Sequence, residues 1–329
     1  MKKTSATEKQ KEFVFTIIQD FLKNPPVVIW GSGATAGFGM PGMGTLNDCL
    51  KKKMKDFDGS LNDLETELGN SKYESQMPLI RSIIWNEIKE NDEKVLGNFL
   101  KCQDDFLGIK EMIDVFSKPY PKNLNIITTN YDRVLEHTMS YFDICYTDGF
   151  SGQNMSIFNE NLFKEKRITV KLVKVHGSLN WFDVNGKIRY SSQEITDAHK
   201  IIPPGKKKYE EAYKTPYREL IQQSDQFIKT GKSFFVVGFG FNDSHLTPEI
   251  CNQVSSGVPI VLVSKKITDQ AKRELKNAHK YVFIEESSKK SCTRFYYKKS
   301  QKEKEETCDI PGDFWKLKDF MENILKGDE

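Results

Sequence analysis

The feature that most constrains this chain is a short apolar run that passes directly into a glycine-rich turn. Residues 27–30 read Val-Val-Ile-Trp and lie between Pro26 and Gly31, a pattern typical of a strand covered on both faces. Gly31 and Gly33 let a ligand approach the backbone closely, and Ser32 lies between them. Backbone N–H groups after a strand form a concave binding site for anions. The turn predicts either a loop that binds the pyrophosphate of a dinucleotide or a tight turn with no ligand.

The sequence after this turn departs from the fingerprint of dinucleotide-dependent dehydrogenases. Ala36 occupies the place of the third glycine, and residues 46–50 are polar and helix-like where a strand ending in Asp or Glu is expected. The turn also continues into Gly39-Met40-Pro41, which a dehydrogenase does not require. These departures favour another class of dinucleotide-binding protein.

Further apolar runs along the chain read as buried strands, and most of them end in polar or glycine residues. Ligands of open α/β sheets bind at the carboxyl ends of the strands, so one ligand lying across these ends explains all of them. For Asn130 and Asp132 the alternative is capping of a helix over 131–139, and a lone histidine such as His176 is more often structural. The predicted strands are 124–128, 168–175, 233–237, 259–263 and 281–284.

Helical patterns occupy most of the remaining sequence. Residues 45–118 show no convincing strand and predict a helical insertion that caps the ligand site. Residues 180–226 are mixed, and the charged segment 286–308 predicts a loop or a hairpin. Together these patterns predict an α/β fold, a doubly wound parallel sheet in one domain over residues 1–329. The other predicted helices are 5–24, 217–227, 247–253 and 314–325.

Composition excludes several functional classes. A net charge of +3 with 29% charged residues gives no indication of nucleic-acid binding. The six cysteines form no C-x-x-C pair, which argues against a zinc ribbon and for a reducing compartment. The first residues contain no apolar signal segment, and no run approaches the roughly 18 apolar residues of a membrane span. We therefore expect a cytoplasmic protein with no membrane association and no metal.

Four segments resemble motifs of the sirtuin (silent information regulator) superfamily, in its bacterial sirtuin-like branch, and they follow the family's order over about residues 27–264. The first segment, Gly31-Ser32-Gly33-Ala34-Thr35 with Gly39-Met40-Pro41, is similar to G-A-G-x-S…G-I-P, and the second, Thr128-Thr129-Asn130-Tyr131-Asp132, is similar to T-Q-N-x-D. The third, His176-Gly177, is similar to the catalytic H-G. The fourth, Gly238-Phe239-Gly240, stands in the place of G-T-S, and Asp243 and His245 after it have the form typical of the bacterial branch. The resemblance implies a Rossmann-like fold of sirtuin type.

The chain departs from deacylating sirtuins in the part that handles the peptide. The two C-x-x-C pairs of the structural zinc are missing, and Ile201-Ile202-Pro203-Pro204 stands in the region of the F-G-E-x-L-P segment. Gly42-Met43-Gly44 replaces the D-F-R that follows the loop proline, and Thr129 replaces a glutamine. This combination resembles the branch that hydrolyses NAD, often as an effector in anti-phage defence.

The resemblance implies that NAD is a substrate, cleaved at the nicotinamide–ribose bond to nicotinamide and ADP-ribose. It assigns Asp132 to nicotinamide, Asn130 to the ribose or the attacking water, and His176 to the ribose hydroxyls as general base, since an imidazole titrates near neutral pH. The residues that it assigns to binding NAD are Gly31, Ser32, Gly33, Thr35, Gly39, Pro41, Thr129, Gly238, Gly240, Asp243 and Ser264.

Two alternatives to a hydrolase stay open. One is a zinc-free NAD-dependent protein deacylase or ADP-ribosyltransferase, and the other is a non-catalytic sensor of NAD or ADP-ribose. An unrestrained hydrolase of NAD would harm its own cell, so we expect gating by a homo-oligomer, by a separate regulatory or sensor protein, or by the 45–118 insertion acting as a lid. The apolar faces of the first and last helices are candidate docking surfaces, unless they pack on their own sheet.

Overall fold

A computed structural model describes residues 6–61, 64–196, 198–205 and 214–326 of the 329. The α-helices are α1 Ala6–Leu22, α2 Gly33–Ala36, α3 Met43–Lys53, α4 Leu64–Leu68, α5 Met77–Phe99, α6 Leu107–Ser117, α7 Val134–Tyr141, α8 Tyr217–Thr230, α9 Leu246–Ser255, α10 Asp269–Glu274 and α11 Leu317–Phe320. The 3₁₀-helices are Ser71–Gln76, Asp104–Phe106, Glu160–Lys164 and Leu275–Asn277, and Met321–Lys326 is a π-helix.

The strands follow one another over residues 146–201, with the 3₁₀-helix Glu160–Lys164 among them, and over residues 281–311; elsewhere they are separated by α-helices. They are β1 Val27–Trp30, β2 Leu124–Thr128, β3 Tyr146–Thr147, β4 Phe150–Ser151, β5 Met155–Phe158, β6 Val170–Lys174, β7 Gly177–Val184, β8 Lys187–Ser191, β9 His199–Ile201, β10 Phe234–Val237, β11 Ile260–Val263, β12 Tyr281–Glu286, β13 Cys292–Lys298 and β14 Glu306–Pro311.

The chain forms two compact units. The first unit comprises Met1–Ala34, Gln103–Ile126 and Asp225–Glu329, and the second comprises Thr35–Cys102 and Ile127–Ser224. The predicted helical insertion is therefore shared between both units. It contains no strand in its described residues, as expected, but its role as a cap and the single-domain organisation stay predictions.

The first unit is built on a mostly parallel sheet. Strands β1, β10, β11 and β12 pair in parallel, in that order, and β13 and β14 continue antiparallel beyond β12. The strands β1, β10 and β11 are buried on both faces, as continuous apolar runs predict. Phe235 packs against Phe116 of α6 and Phe320 of α11, with ring centroids 5.2 Å apart in both pairs. The prediction of an α/β fold with a parallel sheet is confirmed.

The second unit carries a separate antiparallel sheet that the sequence did not reveal. Its strand order is β4-β5-β8-β7-β9. Strand β7 is buried on both faces over most of its length although it contains Ser178 and Asn180, so it lacks the alternation that marks a half-buried strand. The same unit contains the parallel pair of β3 and β6, and α5 lies against β7 and β9.

The predicted helices are present, with two differences. The last helix continues as a π-helix, while the segment 286–308, predicted as a loop or a hairpin, contains the hairpin of β13 and β14. The helix predicted over 131–139 begins only at Val134, because side chains hold residues 130–133 in a turn, as described below. No helix among the described residues is long and apolar enough to cross a membrane.

Candidate active site

The glycine turn after β1 is held by a second turn in the first unit, the one that follows β10. Gly31 N donates to Val237 O and Gly33 N donates to Gly238 O, both over 2.9 Å. A Cβ atom on Gly31 would lie 2.4 Å from Gly238 O, closer than side chains approach. The N–H groups of these two glycines therefore donate to the backbone of the second turn, and the role of Gly31 and Gly33 in binding NAD stays a prediction.

Gly238 needs to be glycine for the same reason. Its φ is +60°, and a Cβ atom there would lie 2.0 Å from Ala34 N. Gly240 differs, because a Cβ atom on it would meet side chains only at an ordinary 3.7 Å. Its carbonyl accepts a hydrogen bond from Thr268 Oγ1 over 2.9 Å. Packing thus explains Gly31, Gly33 and Gly238, but it does not explain Gly240.

The remaining predicted residues of the first unit also have structural partners. Asp243 Oδ1 accepts from the N–H groups of His245 and Leu246, over 3.0 and 2.9 Å, which caps the start of α9. Ser264 Oγ donates to Lys266 O over 3.0 Å. Phe241 follows Gly240 in the turn after β10. It is buried and has a φ of 61°, a conformation that bulky residues rarely adopt. The binding roles of Ser32, Asp243 and Ser264 stay predictions.

In the second unit, three predicted residues form a hydrogen-bonded cluster. Thr35 Oγ1 donates to Asp132 Oδ2 over 3.1 Å, and Asn130 Nδ2 donates to Thr35 Oγ1 over 3.3 Å. All three side chains are buried. The Thr35 hydroxyl, which belongs to a residue predicted to bind NAD, therefore contacts the two residues assigned to the chemistry and fixes their orientation.

Asp132 combines deep burial with several polar contacts. Burial raises the pKa of Asp132 to about 6, against the effect of the positive charge of Lys174, while Asp92 and Glu136 raise it further. Its Oδ1 accepts from Val134 N, the first N–H group of α7, over 3.3 Å, so Asp132 also serves the start of this helix. A carboxylate with a pKa near neutrality is common in active sites.

His176 lies next to the Asn130 segment through backbone pairing. Val175 N donates to Thr128 O over 3.1 Å, and Leu179 N donates to Tyr131 O over 3.0 Å. The two segments therefore run side by side, with His176 in one and Asn130 in the other. His176 is buried, and its carbonyl accepts from Ile202 N over 2.9 Å.

The other predicted binding residues of the second unit lie outside the buried cluster of Thr35, Asn130 and Asp132. Gly39 has a φ of +100° with open space around it, and its N–H donates to Ala36 O over 3.1 Å. Pro41 and Thr129 are half-buried. Their roles in binding NAD stay predictions.

The sequence reasoning missed a buried carboxylate behind this cluster. Asp92 of α5 is fully buried and accepts from Arg133 N over 2.7 Å and from the Arg133 guanidinium over 2.7 and 2.9 Å. His137 Nε2 lies 3.2 Å from the same carboxylate. Burial alone would raise the pKa of Asp92, but His137 and Arg133 hold it below its usual value. The signal in the sequence was that Asp92, a charged residue, follows Ile88 at helical spacing on an apolar helix face.

Lys174 is the second residue that the sequence reasoning missed. It is buried at the end of β6, and its Nζ donates to Asp132 O over 2.5 Å and to Glu136 Oε1 over 2.6 Å. Two buried lysines, Lys171 and Lys174, interrupt the apolar residues of β6, and they were the available signal. Asp92 and Lys174 thus hold the segment 130–137 from α5 and from β6.

The family model of the SIR2-like domain matches residues 124–305, more than half of the chain. The chain belongs to the SIR2-like family. The matched region of this SIR2-like protein contains Asn130, Asp132, His176, Gly238 and Ser264. Membership supports an NAD-dependent activity of sirtuin type.

Solved structures of Sir2 proteins resemble the SIR2-like chain at low identity. A mutant Sir2 homologue bound to ADP-ribose is 14% identical, with 74% of this chain and 82% of that chain covered and a TM-score of 0.43. A Sir2 homologue in complex with NAD is 15% identical, with 78% and 82% covered and a TM-score of 0.42. Sir2Tm bound to a propionylated peptide is 14% identical, with 79% and 88% covered and a TM-score of 0.41. No curated protein matches the sequence.

Metal ligands do not cluster in the described part of the SIR2-like chain. Among residues 6–61, 64–196, 198–205 and 214–326, no three His, Cys, Asp or Glu side chains form a group that could hold a metal ion. All six cysteines are free. The expectation of a metal-free protein stays a prediction.

Proposed function

We propose that this SIR2-like protein hydrolyses NAD at the nicotinamide–ribose bond, releasing nicotinamide and ADP-ribose. The observation that carries the proposal is the buried cluster in which Thr35 joins Asn130 to Asp132. A buried amide and a carboxylate with a raised pKa suit recognition of an uncharged carboxamide and of a sugar that gains positive charge. The hydrogen bond from Val134 N accounts for Asp132 Oδ1, but not for the bonds that join Thr35 to Asn130 and Asp132.

The proposed reaction transfers the ribose from nicotinamide to water. The bond between ribose C1′ and the ring nitrogen breaks with its electron pair going to nicotinamide, and the carbon gains oxocarbenium character, as in glycoside cleavage. Water forms the new C1′–O bond and loses one proton. Asp132 binds the departing carboxamide, Asn130 orients the ribose or the water, and His176 contacts the ribose hydroxyls as general base.

Water is favoured over an acyl-lysine peptide as the acceptor because the peptide-handling features of deacylases are missing. The sequence contains no C-x-x-C pair, and residues 201–204 do not match the segment that pairs with the peptide. In the structure, Ile201 belongs to β9 and pairs with Gly177 of β7, and Ile202 is buried. This backbone is therefore occupied by its own sheet.

Incubation of the purified protein with NAD tests the proposal. Free nicotinamide and ADP-ribose in equal amounts, separated by liquid chromatography, are expected without any peptide. Acetyl-ADP-ribose formed only with an acetylated peptide would instead indicate a deacylase, and label transferred from NAD to protein would indicate an ADP-ribosyltransferase. Binding of NAD in calorimetry without turnover would indicate a sensor.

We further propose that the protein is a gated effector that depletes NAD in anti-phage defence. The gate is assigned to a homo-oligomer or a separate regulatory protein. The apolar faces of the first and last helices are not the docking surfaces, because both are used inside the first unit. Ile18 and Ile324 are fully buried, and Phe15 of α1 packs on Phe314 with ring centroids 5.1 Å apart.

The gate predicts slow turnover of NAD by the protein alone. The rate per molecule should rise with protein concentration, or when the partner from the host is added. Light scattering run in parallel reports the oligomeric state. Full activity that does not depend on concentration, in a monomer, would remove gating by assembly and leave the hydrolase proposal intact.

A further inference from the structure

Lys174 is a charged residue where strand β6 requires an apolar one. Its neighbours Leu172, Val173 and Val175 are fully buried, and Lys174 itself is 1% exposed. Burying an ammonium group is unfavourable unless it is paired and hydrogen-bonded. A lysine at this position therefore needs a reason beyond the stability of the strand.

The partners of Lys174 supply that reason. The Nζ atom donates to the backbone carbonyl of Asp132 over 2.5 Å and to Glu136 Oε1 over 2.6 Å. Asp132 lies just before α7 and Glu136 lies in the first turn of α7, so the lysine contacts both ends of the segment 132–136. Lys174 also precedes His176 by two residues. It thus joins the strand that leads to His176 to the turn that carries Asn130 and Asp132.

We infer that Lys174 is a positioning residue, which fixes the turn at Asp132 through its backbone carbonyl and places its ammonium group near the buried Asp132 carboxylate. This inference rests on the proposed function of Asp132. The hydrogen bonds of Lys174 go to the backbone carbonyl of Asp132 and to Glu136, whereas the carboxylate oxygens of Asp132 accept from Thr35 and Val134. Its action on the reaction is therefore indirect.

The charges around Asp132 have opposite effects on its pKa. Burial raises that pKa most, Lys174 from β6 lowers it, and Asp92 from α5 and Glu136 from α7 raise it. Asp92 is itself paired with Arg133 and His137. Neutralising Lys174 should therefore raise the pKa of Asp132, and neutralising Glu136 should lower it. Damage to the local structure alone would not shift the pKa of Asp132 in opposite directions in the two variants.

The experiment compares Lys174→Gln, Glu136→Gln and Lys174→Arg with the wild type. The carboxyl carbon of Asp132 is followed by NMR across pH in protein labelled with ¹³C at aspartate side chains, and its signal is assigned by its loss in Asp132→Asn. We expect the pKa of Asp132 to rise by about one unit in Lys174→Gln, to fall in Glu136→Gln and to stay near the wild-type value in Lys174→Arg.

The pH dependence of kcat for NAD cleavage gives the second readout. Its acidic limb should move upward in Lys174→Gln and downward in Glu136→Gln. The limb is assigned to Asp132 only where it follows the NMR titration of Asp132. Shifts of the same sign in both variants, or none, would overturn the inference.

Two outcomes separate this inference from the proposed function. A wild-type protein that does not cleave NAD, whose Asp132 titration still shifts with opposite signs, would refute the hydrolase and retain the electrostatic role of Lys174. If Lys174→Gln does not fold, judged by circular dichroism, the changes in the pKa of Asp132 in Glu136→Gln and Lys174→Arg still test the inference. A wild-type titration in Glu136→Gln would then refute the charge effect.

Discussion

The predicted binding residues of the two units are held in place by different kinds of contact. In the first unit, Gly31, Gly33 and Gly238 are needed because two backbone turns touch, and no side chain takes part. In the second unit, Thr35, Asn130 and Asp132 are held by hydrogen bonds between their side chains. Packing alone therefore explains these three glycines, whereas the contacts between Thr35, Asn130 and Asp132 bring together the residues on which the proposed function depends.

This difference decides at which residues a substitution tests the proposed function and at which it tests the stability of the fold. Substitution of a packing glycine should lower the free energy of unfolding, whether or not NAD binds. Substitution of a residue in the polar cluster should reduce turnover in a protein that still folds.

The largest effect is expected for Asn130→Ala. If Asn130 is a preorganised polar group, its loss raises the barrier to NAD cleavage by about 2.7–4 kcal/mol, a decrease in kcat of roughly 10²–10³-fold. The measurement is nicotinamide release by the purified variant, with circular dichroism to check the fold. Wild-type turnover by a folded Asn130→Ala protein would remove Asn130 from the proposed mechanism.

Gly238→Ala should act on stability instead. The new Cβ would lie 2.0 Å from Ala34 N at a φ of +60°, so the backbone must shift, and we expect a loss of about 2–3 kcal/mol in the free energy of unfolding by urea. Gly240→Ala is the matched control, with space for a methyl group and an expected change within about 0.5 kcal/mol. If Gly240→Ala retains stability but loses NAD binding in calorimetry, Gly240 approaches the ligand.

Thr35→Val removes the hydroxyl that joins Asn130 to Asp132 and keeps the shape of the side chain. The buried amide of Asn130 then loses an acceptor, so we expect a loss of about 1–2 kcal/mol in unfolding free energy together with slower NAD cleavage. Thr35→Ser keeps the hydroxyl and should retain most activity. Equal activity of the valine and serine variants would contradict a role for this hydrogen bond in positioning.

The raised pKa of Asp132 predicts a gain in stability for Asp132→Asn at neutral pH. A pKa near 6 in the folded state, against about 3.9 unfolded, means that the ionised carboxylate destabilises the fold above pH 6. The asparagine variant should therefore be more stable by on the order of 2 kcal/mol at pH 7, and this difference should vanish as the pH falls toward 4. Thermal unfolding across this pH range provides the measurement.

Asp309 in the first unit is the control of opposite sign. Hydrogen bonds from Arg294 hold the pKa of Asp309 far below its usual value, so its ionised form stabilises the fold. Asp309→Asn should therefore lower stability at pH 7. A stability loss in Asp132→Asn as well would show that its carboxylate serves the fold rather than the reaction.

The smallest effect is expected from chelation. EDTA should change neither the melting temperature nor NAD cleavage, because the sequence lacks the paired cysteines that hold a structural zinc. Elemental analysis of the purified protein checks the same point. Stoichiometric zinc in the protein would show that cysteines far apart in sequence converge on a metal.

The sequence by itself determined the parallel part of the first unit and the motif residues. Runs such as 27–30 and 260–263 are apolar because their strands are covered on both faces, so local composition predicts them. The order of glycine and polar segments along the chain sufficed for the family resemblance. Both signals are local, and each can be read from a few consecutive residues.

Only the tertiary structure decided the antiparallel sheet of the second unit and the contacts within the cluster. Strand β7 carries polar residues on buried faces, and their partners come from distant parts of the chain. Asp92 lies 41 residues from Arg133, and Lys174 lies 42 residues from Asp132. A buried charge can be recognised in a sequence as an exception to an apolar pattern, but its partner is set by packing, because charges in a protein interior are stable only where the fold brings a counter-charge or a carbonyl to them.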